Sequence, residues 1–175
     1  MKGEDVVLIA GDIRVASVTE TDVERVAQLA AETWWSHYPG LISAAQIEYM
    51  LQQRYDPALI RAELRRRDLW WDKLDIGATM VAFDSCFLSD AATVKLDKLY
   101  VHPAHQRKGY GGILIDHVCD RARRHGCSQV VLAVNKGNRS AIAAYLKHGF
   151  TVAESVVKDI GGGFVMDDYV MLRRV

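Results

Sequence analysis

The sequence predicts an α/β fold (α+β by some schemes) built on a mixed sheet, and three observations carry that expectation. Leu69–Leu74, Thr79–Leu88 and the run starting at Val94 are rich in Val, Leu, Phe, Trp and Tyr and are separated only by short turns. Antiparallel neighbours allow such turns, whereas parallel ones need long crossovers. A helical stretch from Gly109 to His125 then leads to a buried apolar run, Ser128 to Val134, and strand–helix–strand order makes a right-handed parallel crossover. At 175 residues, with no linker, repeat or low-complexity segment, residues 1–175 are expected to form one domain with a sizeable core.

Taken in order, Ile13 to Val18 alternates weakly and is read as the first strand. Thr19 or Thr21 can cap the following helix, whose Val23, Val26, Ala27, Ala30 and Trp34 recur at helical spacing and face the core. Pro39-Gly40 stops that helix near His37. Ser43 caps a second helix, and Pro57 suits the first turn of a third that reaches Arg67. Turns at Asp75-Ile76-Gly77 and Ser89-Asp90 separate the middle strands. Asn138 can cap a helix from Arg139 to Lys147 that ends at Gly149, and Phe150 starts the next strand. Gly161-Gly162-Gly163 joins the last two strands as a hairpin.

Composition excludes several classes of function. Lys plus Arg equals Asp plus Glu at 22 each, so no basic field argues for nucleic acid. No apolar run approaches a membrane span, and Met1 to Gly11 lacks a signal-peptide pattern. Cys86, Cys119 and Cys127 are odd in number and lack metal-ligand spacing, so they read as reduced thiols of a cytoplasmic protein that holds no metal.

The chemistry concentrates between Val94 and Gly112. A strand ends at Pro103, and five residues later Gly109, Gly111 and Gly112 open a helix. The first N–H groups of a helix lack intrahelical partners and carry the positive end of its dipole. Glycines let an anion approach that backbone, and Arg107 and Lys108 add charge, so the stretch reads as a pyrophosphate cradle. A Walker-type G-x-x-x-x-G-K-[ST] string is absent, and Leu114 stands where a dinucleotide fingerprint needs its third glycine.

Gln106-Arg107-Lys108-Gly109-Tyr110-Gly111 resembles the Q/R-x-x-G-x-G/A signature of the GCN5-related N-acetyltransferase (GNAT) family. Asn138-Arg139-Ser140-Ala141, running through Tyr145 to Gly149-Phe150, is similar to that family's N-x-x-A-x-x-x-Y-x-x-x-G-F. The resemblance implies a single domain with a mixed, mostly antiparallel central sheet flanked by helices on both faces. It implies acetyl-CoA as cosubstrate, its pyrophosphate held by Gln106, Arg107, Lys108, Gly109, Tyr110, Gly111 and Gly112. The backbone of Leu99, Tyr100 and Val101 would hold the pantetheine, Asn138 would contact it, Ala141 would let it pass, and Tyr145 would protonate the departing thiolate.

Asp97 lies on the strand among apolar neighbours and is read either as structurally paired or as a base or amine-binding carboxylate. Trp34 and Tyr38 are read either as core or as walls of an acceptor pocket suited to an ammonium group. Asp167 and Asp168 interrupt an apolar strand, so one of them faces inward; they are read either as rim or paired residues, or with Asp168 or Asp167 as an acceptor-site anion. The ending Gly163-Phe164-Val165-Met166-Asp167-Asp168-Tyr169-Val170-Met171, together with the strand Leu96-Asp97-Lys98-Leu99-Tyr100-Val101, looks like the PaiA-type branch, whose members acetylate spermidine and spermine. The expected activity is therefore transfer of acetyl to a primary amine, with a polyamine leading. Acetylation of a protein N-terminus or lysine is the alternative of the same class. A non-catalytic acyl-CoA-binding regulatory module is the alternative of another class. The resemblance makes a homodimer the expected assembly.

Overall fold

The computed structural model describes residues 7–175, and side chains from residue 11 onward, so most of the leader-free reading of Met1 to Gly11 lies outside the described residues. The described residues fall into two compact units, 7–85 with 98–114 and 86–97 with 115–175. Strands β4 (Thr79–Asp90) and β5 (Thr93–Val101) and helix α4 (Tyr110–Arg124) contribute to both.

In the first unit, β1 (Val7–Ala10) and β2 (Ile13–Ser17) form an antiparallel hairpin, and β2 pairs antiparallel with β3 (Leu69–Ile76). The sheet continues through β4 to β5. Helices α1 (Val23–His37), α2 (Ala44–Tyr55) and α3 (Pro57–Leu64) separate β2 from β3. Thr19 and Asp22 form a capping box ahead of α1, Ser43 caps α2 by accepting the Gln46 N–H, and Asp56 caps α3 with Pro57 in the first turn. Val15, Leu74, Val81, Ala82 and Leu114 form a buried cluster, with Leu99, Val101, Tyr110 and Ile113 packed against it.

The second unit holds the crossover. β6 (Gln129–Asn135) runs parallel to β5, pairing Val94 with Val130 and Leu96 with Leu132. Helix α5 (Arg139–Lys147) follows, and β8 (Phe164–Arg174) pairs antiparallel with both β6 and β7 (Thr151–Gly161), which leaves β7 at the sheet edge. Gly162-Gly163 makes the predicted hairpin turn with φ of 63° and 80°, a conformation glycine adopts without Cβ strain.

Several boundaries differ from expectation. β1 precedes the strand read as the first. Helix α3 stops at Leu64 rather than Arg67, because the Arg65 and Arg66 N–H groups turn back to Ala62 and Glu63. β3 runs through Asp75-Ile76, and the turn moves to Gly77, whose φ is +57° and whose N–H reaches Asp12 O. β4 continues to Asp90, whose carboxylate then accepts the Ala92 N–H and makes the turn two residues later than predicted.

Candidate active site

In the first unit the end of β5 leads straight into the glycine loop. His102 Nδ1 accepts the Ala104 N–H at 3.2 Å and so caps a single 3-10 turn, Pro103–His105. Gln106 Nε2 donates to Val101 O at 3.0 Å and ties the loop to the strand end. Lys108 Nζ reaches back to Ala104 O at 3.4 Å. Arg107 is held at φ +61° and Gly109 at φ +90°, so the backbone turns twice through the left-handed region before α4. A non-glycine residue there stores strain of about 1–2 kcal/mol, and such strain clusters at ligand clamps.

The first helical bond of α4 joins Ile113 N–H to Gly109 O, so the N–H groups of Tyr110, Gly111 and Gly112 precede the ladder. The Tyr110 ring packs toward the buried cluster. A Cβ at Gly111 would point at Leu99 Cδ2 and Val101 Cγ2, both 3.7 Å away. The opening turn thus buries its side chains toward β5 and leaves its N–H groups as donors at the positive end of a 15-residue helix. Those donors, with Arg107 exposed beside them, fit a pyrophosphate.

Trp34 and Tyr38 are 2% and 5% exposed and sit in one aromatic cluster of the first unit. Trp34 lies 4.3 Å from Tyr38, 5.9 Å from Tyr55 and 6.1 Å from Tyr100, ring centre to ring centre, and Phe83 and Trp71 extend the cluster. Tyr100, expected to act through its backbone, also places its half-buried ring here. Burial, and then its neighbour Tyr55, push its phenol well above the ordinary tyrosine range, while a hydrogen bond with Tyr38 acts the other way. Lys98 is buried beside this cluster, its Nζ 4.8 Å from the Trp71 ring centre and 3.7 Å from Glu63, which also accepts the Trp71 indole N–H at 2.9 Å. Sequence reading missed Lys98, Glu63 and Tyr55. Lys98 alternates with Asp97 on the strand, and that alternation was the one signal that could have marked it as inward-facing.

The second unit carries Asp97, Asn138, Ala141, Tyr145 and Asp168. Asp97 is half-buried on β5. Asn138 caps α5, its Oδ1 accepting the Ala141 N–H at 3.2 Å and the Ser140 hydroxyl at 3.2 Å, so the cap occupies its carbonyl oxygen and not its amide nitrogen. Tyr145, half-buried one turn after Ala141, meets Phe150 edge-on at 5.6 Å, an arrangement that holds the ring in place. Asp167 is exposed and paired with Lys136, whose Nζ also lies 5.4 Å from the Tyr169 ring centre. Asp168 is the half-buried carboxylate of the two, opposite Asn135 on β6. Among the described residues no cluster of His, Cys, Asp or Glu is placed to hold a metal ion, and no helix is long and apolar enough to cross a membrane.

Residues 28–150 match the family described as Acetyltransferase (GNAT). Spermidine N(1)-acetyltransferase of Thermoplasma acidophilum is 25% identical over 159 residues, covering 89% of this chain and 96% of that protein. The ribosomal protein bS18-alanine N-acetyltransferase of Escherichia coli is 38% identical over 64 residues, 37% of this chain and 42% of its own length. The crystal structure of PaiA N-acetyltransferase from Thermoplasma acidophilum in complex with coenzyme A shares the fold, with a TM-score of 0.82 at 22% identity over 94% of this chain and 100% of that one.

Proposed function

The chain belongs to the acetyltransferase (GNAT) family and is an acetyl-CoA-dependent N-acetyltransferase, and we propose that its acceptor is a polyamine such as spermidine or spermine, or another small primary amine. The observation that carries the polyamine reading is the end-to-end similarity to spermidine N(1)-acetyltransferase. Acetylation of a protein N-terminus is the second reading, favoured by the shorter similarity to the bS18-alanine enzyme. A cytoplasmic homodimer is part of the proposal.

Bound acetyl-CoA supplies an acetyl group activated as a thioester. In this reading the N–H groups of Tyr110, Gly111 and Gly112, with Gln106, Arg107, Lys108 and Gly109, hold its pyrophosphate, and the backbone of Leu99, Tyr100 and Val101 holds the pantetheine. Asn138 donates its amide N–H to the same arm, and Ala141 leaves room for it. An ammonium acceptor must lose a proton before its nitrogen can attack, and Asp97 takes that proton directly or through water. Tyr145 gives its hydroxyl proton to the departing sulfur. Asp168 attracts a second ammonium of a polyamine. Trp34 and Tyr38, as buried rings, shape the acceptor side by packing rather than by lining it.

Thiol release from acetyl-CoA across spermidine, spermine, aminoglycosides, amino acids and short peptides tests the reading. Selective turnover of polyamines supports it, and turnover of peptides alone selects the second reading. CoA binding with no acceptor turned over would leave a regulatory binding module instead. Tyr145→Phe should keep CoA affinity and lose about a hundredfold or more in kcat, the scale of general acid catalysis; unchanged turnover removes the assigned role.

A further inference from the structure

We propose that the outer edge of β7 is a self-complementary docking surface for a second copy of this chain, paired antiparallel about a two-fold axis at Val156. This rests on the homodimer of the reading above and names its surface. Among the described residues β7, an 11-residue strand, pairs only with β8, and edge strands of that length offer unpaired N–H and C=O groups to another chain. All nine residues from Thr151 to Gly161 other than Val156 and Ile160 are exposed, a pattern no buried strand shows, and Val157 is 69% exposed.

The register of β7 against β8 shifts between Val152 and Glu154 and again between Asp159 and Gly161. Irregularities of that kind end pairing locally, so the regular, pairable edge is Glu154-Ser155-Val156-Val157-Lys158-Asp159. In an isologous contact, residue i meets j and j meets i. With the axis on Val156, Glu154 lies opposite Lys158 twice, and Ser155 lies opposite Val157 twice. Moving the pairing by one residue sets Glu154 against Asp159, a like-charge contact, and flips every side chain to the other face. Moving it one residue the other way leaves neither charge with a partner. Charge therefore selects one register. Glu154 and Lys158 are both exposed, and among the described residues neither makes an ion pair with its own chain.

Sedimentation velocity of the full chain, Lys158→Glu and the charge-swapped pair Glu154→Lys/Lys158→Glu tests the surface, with CoA binding as the check that each variant is folded. The expected result is a dimer for the parent chain, a dissociation constant raised about tenfold or more for Lys158→Glu, and recovery in the charge-swapped pair, where each opposite-charge contact is restored. A parent dimer that Lys158→Glu does not weaken, or that the swap does not restore, overturns this surface and leaves the homodimer standing. A parent chain that stays monomeric at about 100 μM, a concentration at which even modest interfaces associate, overturns both. Neither outcome touches the acetyltransferase assignment, which thiol release reads separately.

Discussion

Replacing Gly109 by Ala isolates the backbone chemistry of the loop. Gly109 is held at φ +90°, and an added Cβ would meet nothing within 4 Å, so the cost comes from the backbone alone. Forcing an L-residue into that region costs about 1–2 kcal/mol. Gly111→Ala, two residues on, is the internal control. Gly111 lies within α4, and its Cβ would make ordinary contacts at 3.7 Å with Leu99 and Val101. Alanine there gains up to about 1 kcal/mol of helix propensity. The two variants should thus differ by about 2 kcal/mol, or about 4–8 °C in Tm for a chain of this size. Thermal unfolding without ligand reads the difference directly. Calorimetric titration with CoA reads its consequence, because the strained loop relieves itself by turning its N–H groups away from the pyrophosphate. Gly109→Ala should therefore weaken CoA binding about tenfold, the equivalent of 1.4 kcal/mol, and by more than Gly111→Ala does. A Gly109→Ala protein that melts as high as the parent and binds CoA as tightly would refute the assignment of this loop as a conformationally constrained cradle.

Two further outcomes follow from the first unit. Lys98→Met leaves the Glu63 carboxylate with only the Trp71 indole N–H, and should cost about 3 kcal/mol in urea unfolding, as loss of one partner of a buried pair does. Adding Glu63→Gln should lose much less than the sum of the two single changes, and strict additivity in that cycle would show that the pair is not coupled. His105 is held below the ordinary value of 6.5 by its partial burial, and then by Lys108 and His102. A histidine depressed in the folded state gives the unfolded chain first claim on the proton, so its contribution to stability is present above about 6.5 and is lost as pH falls through its folded value. NMR titration should place its midpoint below that of a histidine peptide, and Lys108→Gln should raise it; a midpoint at or above the peptide's would contradict the packing around this turn.

What could be read from the residues alone was the chemistry that short stretches of backbone impose on themselves. Gly109, Gly111 and Gly112 mark an open helix start, Asn138 an N-cap, and Gly161-Gly162-Gly163 a hairpin, and each works within a few residues of itself. The crossover from β5 through α4 to β6 was legible for the same reason, since periodicity and handedness act along contiguous chain. Tertiary structure decided the rest. Nothing near Lys98 foretells Glu63, because a buried ion pair is defined by which distant strand and helix exclude water from it. Trp34 and Tyr38 read equally well as core or as pocket wall, and only the arrival of Tyr55, Phe83 and Tyr100 around them made them buried rings. Asp167 and Asp168 are adjacent on one strand, and the alternation of its faces against Lys136 and Asn135 is what sent one to an ion pair at the surface and left the other half-buried.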